Sequence, residues 1–409
     1  MRQRDKANTM NSLDEARQPL NLEVHEDDIP GIFAEVLRYL TPERLSRKLE
    51  AVAAGLAQSG PFYREFYLRP RNALWLGMRQ VEGSIAGGDF RLDRIEADVL
   101  PSIHTAALIA EVLPSLPRWK RDEFRSRLLD KAGGDVPALV ELTAASRLVR
   151  MGAKIEWVPE SPGKQTCELV GEFEGQEFEL ECKAKTVDVG RRMDRPAIYQ
   201  FADELLAKIP ELTKGDPTCL EVLVDTRFPR EKSVQTELVK RVLAGVKGEN
   251  AVFHDERPGV NVERLTPTGD ELVSIVDSKL EGFEHRAIVL DKFKRPRLLI
   301  RFRSRRPDRM INAIEEDLRK ALKQFSGERP GLIVCYVPEV ESFEGVQSQS
   351  TATTQMIDRV ASRPDARNLV SISFISDAQI FSTLGLTETN IESLKYVTTR
   401  FKDSRLAIL

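Results

Sequence analysis

The spacing of apolar residues divides the chain into a helical first third and a mixed remainder. The segment "TPERLSRKLEAVAAGLAQSG" places apolar residues three and four apart, which predicts a helix that begins after Thr41 and ends before Gly60. Pro42 stands at the first helical position, where its missing N–H costs no hydrogen bond. We therefore expect residues 21–130 to form a helical region, preceded by a polar, disordered tail at residues 1–20.

Helical and strand-like segments alternate in the next part of the chain. A helix, "DVPALVELTAASRLVRMG", has Asp135 as its expected cap and Gly152 as its stop, and the strand-like segments "KIEWVP", "CELVGEF" and "FELECKAK" follow it. The helix "RPAIYQFADELLAKIPEL" and the strand "CLEVLVDT" come next. This order predicts an α/β protein whose α-β-β-β-α-β core forms a mixed sheet over residues 131–226.

The remaining third of the chain carries more strands and one strong helix. The segments "RLLIRFRS", "GLIVCYV" and "LVSISFI" have strand character, and "MINAIEEDLRKALKQF" has helical spacing. We expect an α/β C-terminal region over residues 227–409, which could also complete the sheet of the core.

Charged residues interrupt the apolar pattern of the hairpin around "EGQE". A two-residue turn at Gly175 and Gln176 would place Lys183 directly opposite Glu168. Because side chains alternate along a strand, Glu168, Glu181 and Lys183 would then project from one face of the sheet. The opposite face is apolar and consists of Leu169, Phe173, Phe178, Leu180 and Cys182.

Two carboxylates and a lysine on one face suit the hydrolysis of a phosphodiester. Carboxylates are hard oxygen ligands for Mg²⁺ or Mn²⁺, and the lysine could orient the attacking water or stabilise charge on the phosphate. The alternative is a solvated face with a weak cross-strand ion pair between Glu168 and Lys183. A second carboxylate-x-lysine segment, at residues 277–279, has no acidic hairpin strand before it.

Another carboxylate stands on the helix that precedes the hairpin. Glu141 shares an apolar stripe with Ala145 and Leu148, at spacings of four and seven. Glu141 could join the metal site, or it could extend from the edge of the stripe into solvent.

This set of residues resembles the PD-(D/E)xK nuclease superfamily, which has a restriction-endonuclease-like fold. The (D/E)xK element corresponds to Glu181, Cys182 and Lys183, the acid of the second strand to Glu168, and a glutamate of the first helix to Glu141. The resemblance implies an α-β-β-β-α-β core and a magnesium-dependent nuclease with these residues in its site.

The resemblance covers residues 135 to 226, and the chain departs from the family pattern at one point. Cys167 and Glu168 stand where the pattern has proline and aspartate, which leaves Glu172 as a rival for the acid. Several relatives also carry a glutamine on the next core helix. Gln200 and Gln324 both fit that description, and if Gln324 is correct the sheet is completed only after residue 300.

A basic segment offers a place for a phosphate backbone. The stretch "DKFKRPRLLIRFRSRRPDR" holds nine Lys or Arg residues against two Asp. On a strand, alternate arginines share one face with roughly 7 Å between neighbours, close to the spacing of phosphates. The alternative is a charged edge strand that resists aggregation. The candidate residues are Arg301, Arg303, Arg305 and Arg306, with Arg191 and Arg192 of "RRMDR" as a second group.

Composition narrows the picture without naming a partner. With 61 basic and 64 acidic side chains, the formal charge is only -3, so any nucleic-acid surface must be local. The four cysteines lack metal-ligand spacing, no apolar run is long enough to span a bilayer, and the first residues lack the apolar segment of a signal peptide. We expect a cytoplasmic protein with no membrane partner.

The sequence therefore predicts a magnesium- or manganese-dependent nuclease with a nucleic acid, in the first place DNA, as substrate. The resemblance suggests a role in prokaryotic restriction or anti-phage defence, where a homo-oligomer or a partner protein of the defence system would be plausible. The alternative is a catalytically inactive nuclease fold that binds nucleic acid or serves as a scaffold.

Overall fold

Two β-sheets organise the chain, and each combines strands that are far apart in sequence. The structure does not describe three parts of the chain that carry predictions: the tail at residues 1–20, Arg191 and the second carboxylate-x-lysine segment. The computed structural model describes residues 24–88, 90–96, 99–130, 134–160, 166–184, 190, 192–208, 218–225, 227–246, 260–265, 274, 285–290, 296–306, 309–337, 350–375 and 394–408.

Five helices form the N-terminal region, and α4 lies at its centre with nearly all of its residues buried. Pro42 begins α2 as expected, but the Thr41 hydroxyl makes no capping hydrogen bond. A helical segment at residues 61–71, with a π-helical turn at Arg64–Leu68, connects α2 to α3. The helices are α1 (Ile29–Leu40), α2 (Pro42–Gln58), α3 (Ala73–Ala86), α4 (Leu100–Val112) and α5 (Arg118–Leu129).

The helix α6 (Asp135–Arg150) leads into a six-stranded sheet. Asp135 is its first residue rather than its cap, and the Asp135 carboxylate accepts a hydrogen bond from the Val136 amide. The strand order is β1-β2-β3-β8-β9-β10, parallel at β3/β8 and β8/β9 and antiparallel elsewhere. The strands are β1 (Lys154–Trp157), β2 (Leu169–Phe173), β3 (Gln176–Ala184), β8 (Gly331–Tyr336), β9 (Leu369–Ile375) and β10 (Leu394–Val397).

The predicted fourth strand of the core does not join this sheet. That strand, β4 (Thr218–Val224), lies in a four-stranded sheet of order β5-β4-β7-β6, together with β5 (Val260–Leu265), β6 (His285–Leu290) and β7 (Pro296–Ser304). Helices α7 (Arg195–Leu206) and α8 (Lys232–Val246) pack on it. The prediction that residues 131–226 close the first sheet is therefore wrong.

The alternative, completion of the first sheet after residue 300, matches the structure. Helix α9 (Met310–Leu322) and strand β8 follow the second sheet, and β8 pairs in parallel with β3. Both candidate pairs are an amphipathic helix followed by an apolar strand, so local pattern could not separate them. The mixed α/β architecture is confirmed.

Both faces of the six-stranded sheet are covered by helices. Leu180 and Leu332 share a core with Leu148 of α6 and with the N-terminal helices. On the other face, Ile333 packs with Leu318 of α9 and with α10 (Ser350–Ala361). Glu179 and Glu181 of β3 are therefore buried beneath helices, whereas Glu177, near the turn, is exposed.

Two further observations concern membranes and cysteines. Within the described ranges, no helix combines the length and the apolar character needed to cross a membrane. None of the four cysteines forms a disulfide, and all four are buried.

Candidate active site

The turn of the β2–β3 hairpin lies one residue earlier than the sequence predicted. Glu174 and Gly175 form it, with φ angles of 50° and 82°, the positive values that a two-residue hairpin turn of type I′ requires. Leu169, the first residue of β2, pairs with Leu180, and the Glu168 amide donates to the Leu180 carbonyl at 3.0 Å, so Glu168 lies beside Leu180 rather than opposite Lys183. The predicted register is wrong by two residues, and a shift of two preserves the face of every side chain.

The hairpin charges converge with a glutamine from beyond α9. Lys183 Nζ donates to Glu181 Oε1 at 2.5 Å and also to Gln324 Oε1. Gln324 Nε2 donates in turn to the Thr166 carbonyl at 3.2 Å. Gln324 is thus the glutamine beside the candidate site. Gln200 is exposed on α7, the helix that packs on the second sheet. Its predicted catalytic role is not supported.

Glu181 lies completely buried, with 0% of its side chain exposed. Its second oxygen, Oε2, has no hydrogen-bond partner among the residues that the structure describes. The alternative of a solvated hairpin face is therefore wrong at this position. An unsatisfied buried carboxylate oxygen costs free energy unless a cation or a proton meets it.

Glu141 is also buried, and its partner is an arginine of the N-terminal region. Arg127 Nη2 lies 2.6 Å from Glu141 Oε1, and Arg127 Nη1 donates to Glu141 Oε2 at 3.0 Å. This two-point contact is the strong form of an Arg–carboxylate pair. Because only 4% of the Glu141 side chain is exposed, the alternative in which it extends into solvent is wrong.

Lys120 contacts both Glu141 of α6 and Glu168 beside the hairpin. Its Nζ lies 3.2 Å from Glu141 Oε2 and 3.5 Å from Glu168 Oε2, with a third carboxylate, Glu123, at 3.2 Å. The side chain is only 3% exposed, and its ammonium lies 5.2 Å from the centre of the Trp157 ring. Helix α5 therefore supplies a buried positive charge to the candidate site.

Burial shifts the pKa values of the hairpin carboxyls upward. Burial, together with the charges of Glu141 and Glu181, raises the pKa of Glu168 to about 8. Burial raises the pKa of Glu181 to about 7, against the opposing effect of Lys183. For Lys120, burial favours the neutral amine, but Glu141 and Glu168 outweigh it and raise the pKa. The site thus holds more carboxylate than its own cations fully compensate.

Sequence reasoning missed Lys120 and Arg127. Lys120, Phe124 and Arg127 recur at spacings of four and three on α5, so they share one face of that helix. The same spacing drew attention to Glu141 on α6. The signal was available in the sequence: two basic residues share one face of α5, and an acidic residue stands on the apolar stripe of α6. Together they could have predicted the contact between these helices.

The rival acid, Glu172, lies away from this group. It pairs with Glu177 across the hairpin, and its Oε2 lies 3.8 Å from Lys154 Nζ of β1. Glu168, immediately before β2, is consequently the acid whose charge interacts with that of Glu181.

The predicted basic stripe lies on the second sheet. Arg303 Nη1 contacts Glu221 at 3.3 Å and Arg305 Nε contacts Asp225 at 3.5 Å, so carboxylates partly neutralise this face. Strand β7 lies between β4 and β6, which makes the edge-strand alternative wrong. Three other candidates contribute less to the picture: Arg301 lies beside Glu221 in the register, Arg306 is exposed, and Arg192 is half-buried.

No metal cluster of three or more His, Cys, Asp or Glu side chains occurs within the described residues. Glu168 and Glu181 nevertheless lie close enough for the charge of Glu181 to raise the pKa of Glu168, and Mg²⁺ commonly binds through one or two carboxylates while keeping several waters. Lys120 and Arg127 hold Glu141, so the helix carboxylate is engaged by protein cations. A two-carboxylate site is the arrangement that the donors fit.

Comparisons with known proteins give no relative from which a role could be transferred. No family model matches the chain, no curated protein matches it, and no solved structure matches it.

Proposed function

We propose that this protein is a metal-dependent nuclease that hydrolyses phosphodiester bonds in nucleic acid. The observation that carries the proposal is Oε2 of Glu181, a buried carboxylate oxygen that has no hydrogen-bond partner among the described residues and lies beside Lys183 and near Glu168. Raised pKa values in two adjacent carboxyls are typical of functional sites and of sites that take a cation.

The order of elements around these residues supports the same proposal. Helix α6, strands β1 to β3, helix α9 and strand β8 follow one another as α-β-β-β-α-β, with an insertion after β3. This order resembles that of the PD-(D/E)xK superfamily, in which Glu168, Glu181 and Lys183 would be the motif residues. A role in restriction or defence rests on this resemblance alone.

Glu168 and Glu181 would hold Mg²⁺ or Mn²⁺, which would supply Lewis acidity to the phosphate and lower the pKa of a bound water. Lys183 donates from its ammonium, and Gln324 and Glu181 fix its position. It is therefore placed to orient the attacking water and to stabilise the negative charge that develops on the phosphate. Arg127 and Lys120 hold Glu141 at the side of the site.

A second candidate function is a nucleic-acid-binding module without catalysis. The contacts of Lys120 with both Glu141 and Glu168 favour it, because a protein ammonium there could substitute permanently for a metal ion. The two functions make different predictions for divalent cations: only the nuclease should be stabilised by Mn²⁺ through Glu168 and Glu181.

Purified protein incubated with DNA and RNA, single- and double-stranded, tests the proposal directly. We expect cleavage with Mg²⁺ or Mn²⁺, none with EDTA, and none from Lys183→Ala. Because Lys183 meets a buried carboxylate, we also expect Lys183→Ala to lower the free energy of unfolding by about 1–3 kcal/mol. Cleavage by Lys183→Ala at the wild-type rate would exclude the mechanism, and Mn²⁺ stabilisation without cleavage of any substrate would favour the binding module.

A further inference from the structure

A cavity of about 400 Å³ lies between the N-terminal helical region and the inserted sheet, outside the candidate active site. Tyr67 and Arg71 form one wall of it, and Asp194, Gln200 and Arg230 belong to the other. Its volume falls within the usual range for small-molecule sites.

The two walls are fixed to each other by hydrogen bonds. The Asp203 carboxylate of α7 accepts from the backbone amides of Phe62 (2.6 Å) and Tyr63 (3.0 Å), at the start of the helical segment 61–71. A Cβ added at Gly60 would lie 2.2 Å from Asp203 Oδ2, so the two elements approach closely. The cavity is consequently an open cleft between two docked elements.

Two tyrosine rings and an arginine guanidinium lie one after another beside the cavity. The rings of Tyr63 and Tyr67 stack with their centroids 5.0 Å apart and their planes at 21°. The guanidinium of Arg71 lies 4.9 Å from the centre of the Tyr67 ring and donates to the Tyr67 hydroxyl at 2.8 Å. These residues recur every four positions, with the π-helical turn inside the segment, so a cation lies next to the stacked pair of rings. Nucleobases stack on such guanidinium planes and on aromatic rings.

The opposite wall supplies charge and a hydrogen-bonding amide. Asp194 is 1% exposed and contacts both Arg230 and Arg227, so two guanidinium groups face one carboxylate. Within the described part of the chain Arg71 forms no ion pair, which leaves the cavity with an excess of positive charge. The Gln200 amide, with one acceptor and one donor group, is suited to the polar edge of a base.

From this arrangement we propose that the cavity binds a nucleoside phosphate, with its base stacked on Arg71 and its phosphate at Arg230. A bare phosphate would leave the aromatic wall unused. The unit could be a free nucleotide or one unpaired nucleotide of a strand. The proposal does not depend on cleavage at Lys183.

Binding in EDTA separates this site from nuclease activity. The full-length protein is titrated into a fluorescein-labelled single-stranded decanucleotide to measure its binding. Calorimetry measures the binding of AMP and of inorganic phosphate. We expect Arg71→Gln and Tyr67→Leu to weaken nucleotide binding about fivefold or more, because stacking on such groups contributes that much. Arg69→Gln is the matched control: Arg69 is two residues away, contacts Glu65 at 3.5 Å, and does not line the cavity.

The pattern of ligands identifies the source of the nucleotide. AMP bound as tightly as the decanucleotide, and lost in Arg71→Gln, supports a free-nucleotide site, whereas binding of the decanucleotide alone supports a strand. Equal losses in Arg69→Gln and Arg71→Gln would overturn the proposal, as would inorganic phosphate binding as tightly as AMP. Arg71→Gln changes an exposed residue, so a wild-type melting temperature for this variant excludes misfolding as the cause of a loss.

Discussion

At the scale of single residues, the site is defined by how buried charges are compensated. Glu141 has a two-point contact with Arg127, whereas only one oxygen of Glu181 has a hydrogen-bond partner in the part of the chain that the structure describes. Burial of an ion pair stabilises a protein weakly at best, but removal of one partner is costly. The carboxylates most relevant to the chemistry of the site are therefore those that protein groups pair only in part.

The raised pKa values of Glu168 and Glu181 predict a pH dependence of stability. In the unfolded chain a glutamate has a pKa of about 4.3, so between that pH and about 7 to 8 the folded protein binds more protons than the unfolded one. Stability of the metal-free protein should therefore fall as the pH rises through this window. Mn²⁺ competes with these protons, so its stabilising effect should grow from pH 6 to pH 8.

Melting temperatures of wild type and Glu181→Gln, with Mn²⁺ or EDTA, check this prediction. The variant keeps the volume of Glu181 but cannot ionise, so its stability in EDTA should decline less with pH than that of wild type. An Mn²⁺ effect that is the same at pH 6 and pH 8 would count against carboxylate ligands.

Lys120 offers a second prediction at this scale. Lys120→Met keeps the packing against Trp157 but leaves Glu168 without its buried cation. We expect the free energy of unfolding in EDTA at pH 8 to fall by about 3 kcal/mol, and the stabilisation by Mn²⁺ to increase, since the metal then offsets both carboxylates alone.

The matched control is Lys48→Met, because the Lys48 ammonium lies 5.1 Å from the centre of the Trp75 ring. A cation–π contact of this kind contributes about 0.5–1 kcal/mol, and we expect no change in the Mn²⁺ response. If Lys120→Met responded to Mn²⁺ as wild type does, Lys120 and the metal would not share the carboxylates.

At the scale of elements, the hairpin shows what local pattern can and cannot specify. Alternation correctly placed Glu181 and Lys183 on one face of β3, because a side chain's face depends only on its parity along the strand. The register depends on which two residues form the turn, and "EGQE" allowed two choices. The structure selects Glu174 and Gly175, since glycine then takes the second positive φ.

Substitutions in the turn distinguish the two choices. Glu174→Asn should raise the free energy of unfolding by up to about 1 kcal/mol, because Asn-Gly is the favoured pair for this turn. Part of that gain is offset by loss of the exposed contact between Glu174 and Arg405. Gln176→Asn should be destabilising, since Gln176 lies in β3.

Urea denaturation of the two variants measures both effects. The opposite ranking, with Gln176→Asn the more stable variant, would support the turn at Gly175 and Gln176 that the sequence first suggested.

The choice of sheet partners could not be made at the level of elements. Strands β4 and β8 are both apolar and both follow an amphipathic helix, so the local signals are equivalent. What separates them is the full set of neighbours: β8 pairs with β3 and β9, whereas β4 pairs with β5 and β7. Likewise, Gln324 was recognisable as a candidate, but only the position of β8 beside β3 brings it to Lys183.

At the scale of the whole molecule, the second sheet is an insertion between β3 and α9. The two ends of this insertion meet: the Arg309 amide donates to the Gly190 carbonyl at 2.7 Å. Gly190 has a φ of 81°, and a Cβ there would lie 2.8 Å from the backbone of Arg309 and Met310. Adjacent ends are the arrangement that allows a domain to be inserted without disturbing its host.

This arrangement predicts that the host folds without the insertion. We expect a chain in which residues 191–308 are replaced by about three Gly or Ser residues, each spanning up to ~3.5 Å, to melt cooperatively. The six-stranded sheet, with Glu168, Glu181, Lys183 and Gln324, draws its core from outside the excised segment. Mn²⁺ should therefore raise the melting temperature of the shortened chain as much as that of wild type. Binding of single-stranded nucleic acid should weaken, because Gln200 and Arg230 are removed.

Loss of cooperative melting would mean that contacts such as those of Asp203 with Phe62 and Tyr63 are needed to fold the host. Retained melting without an Mn²⁺ response would place a metal ligand within the insertion.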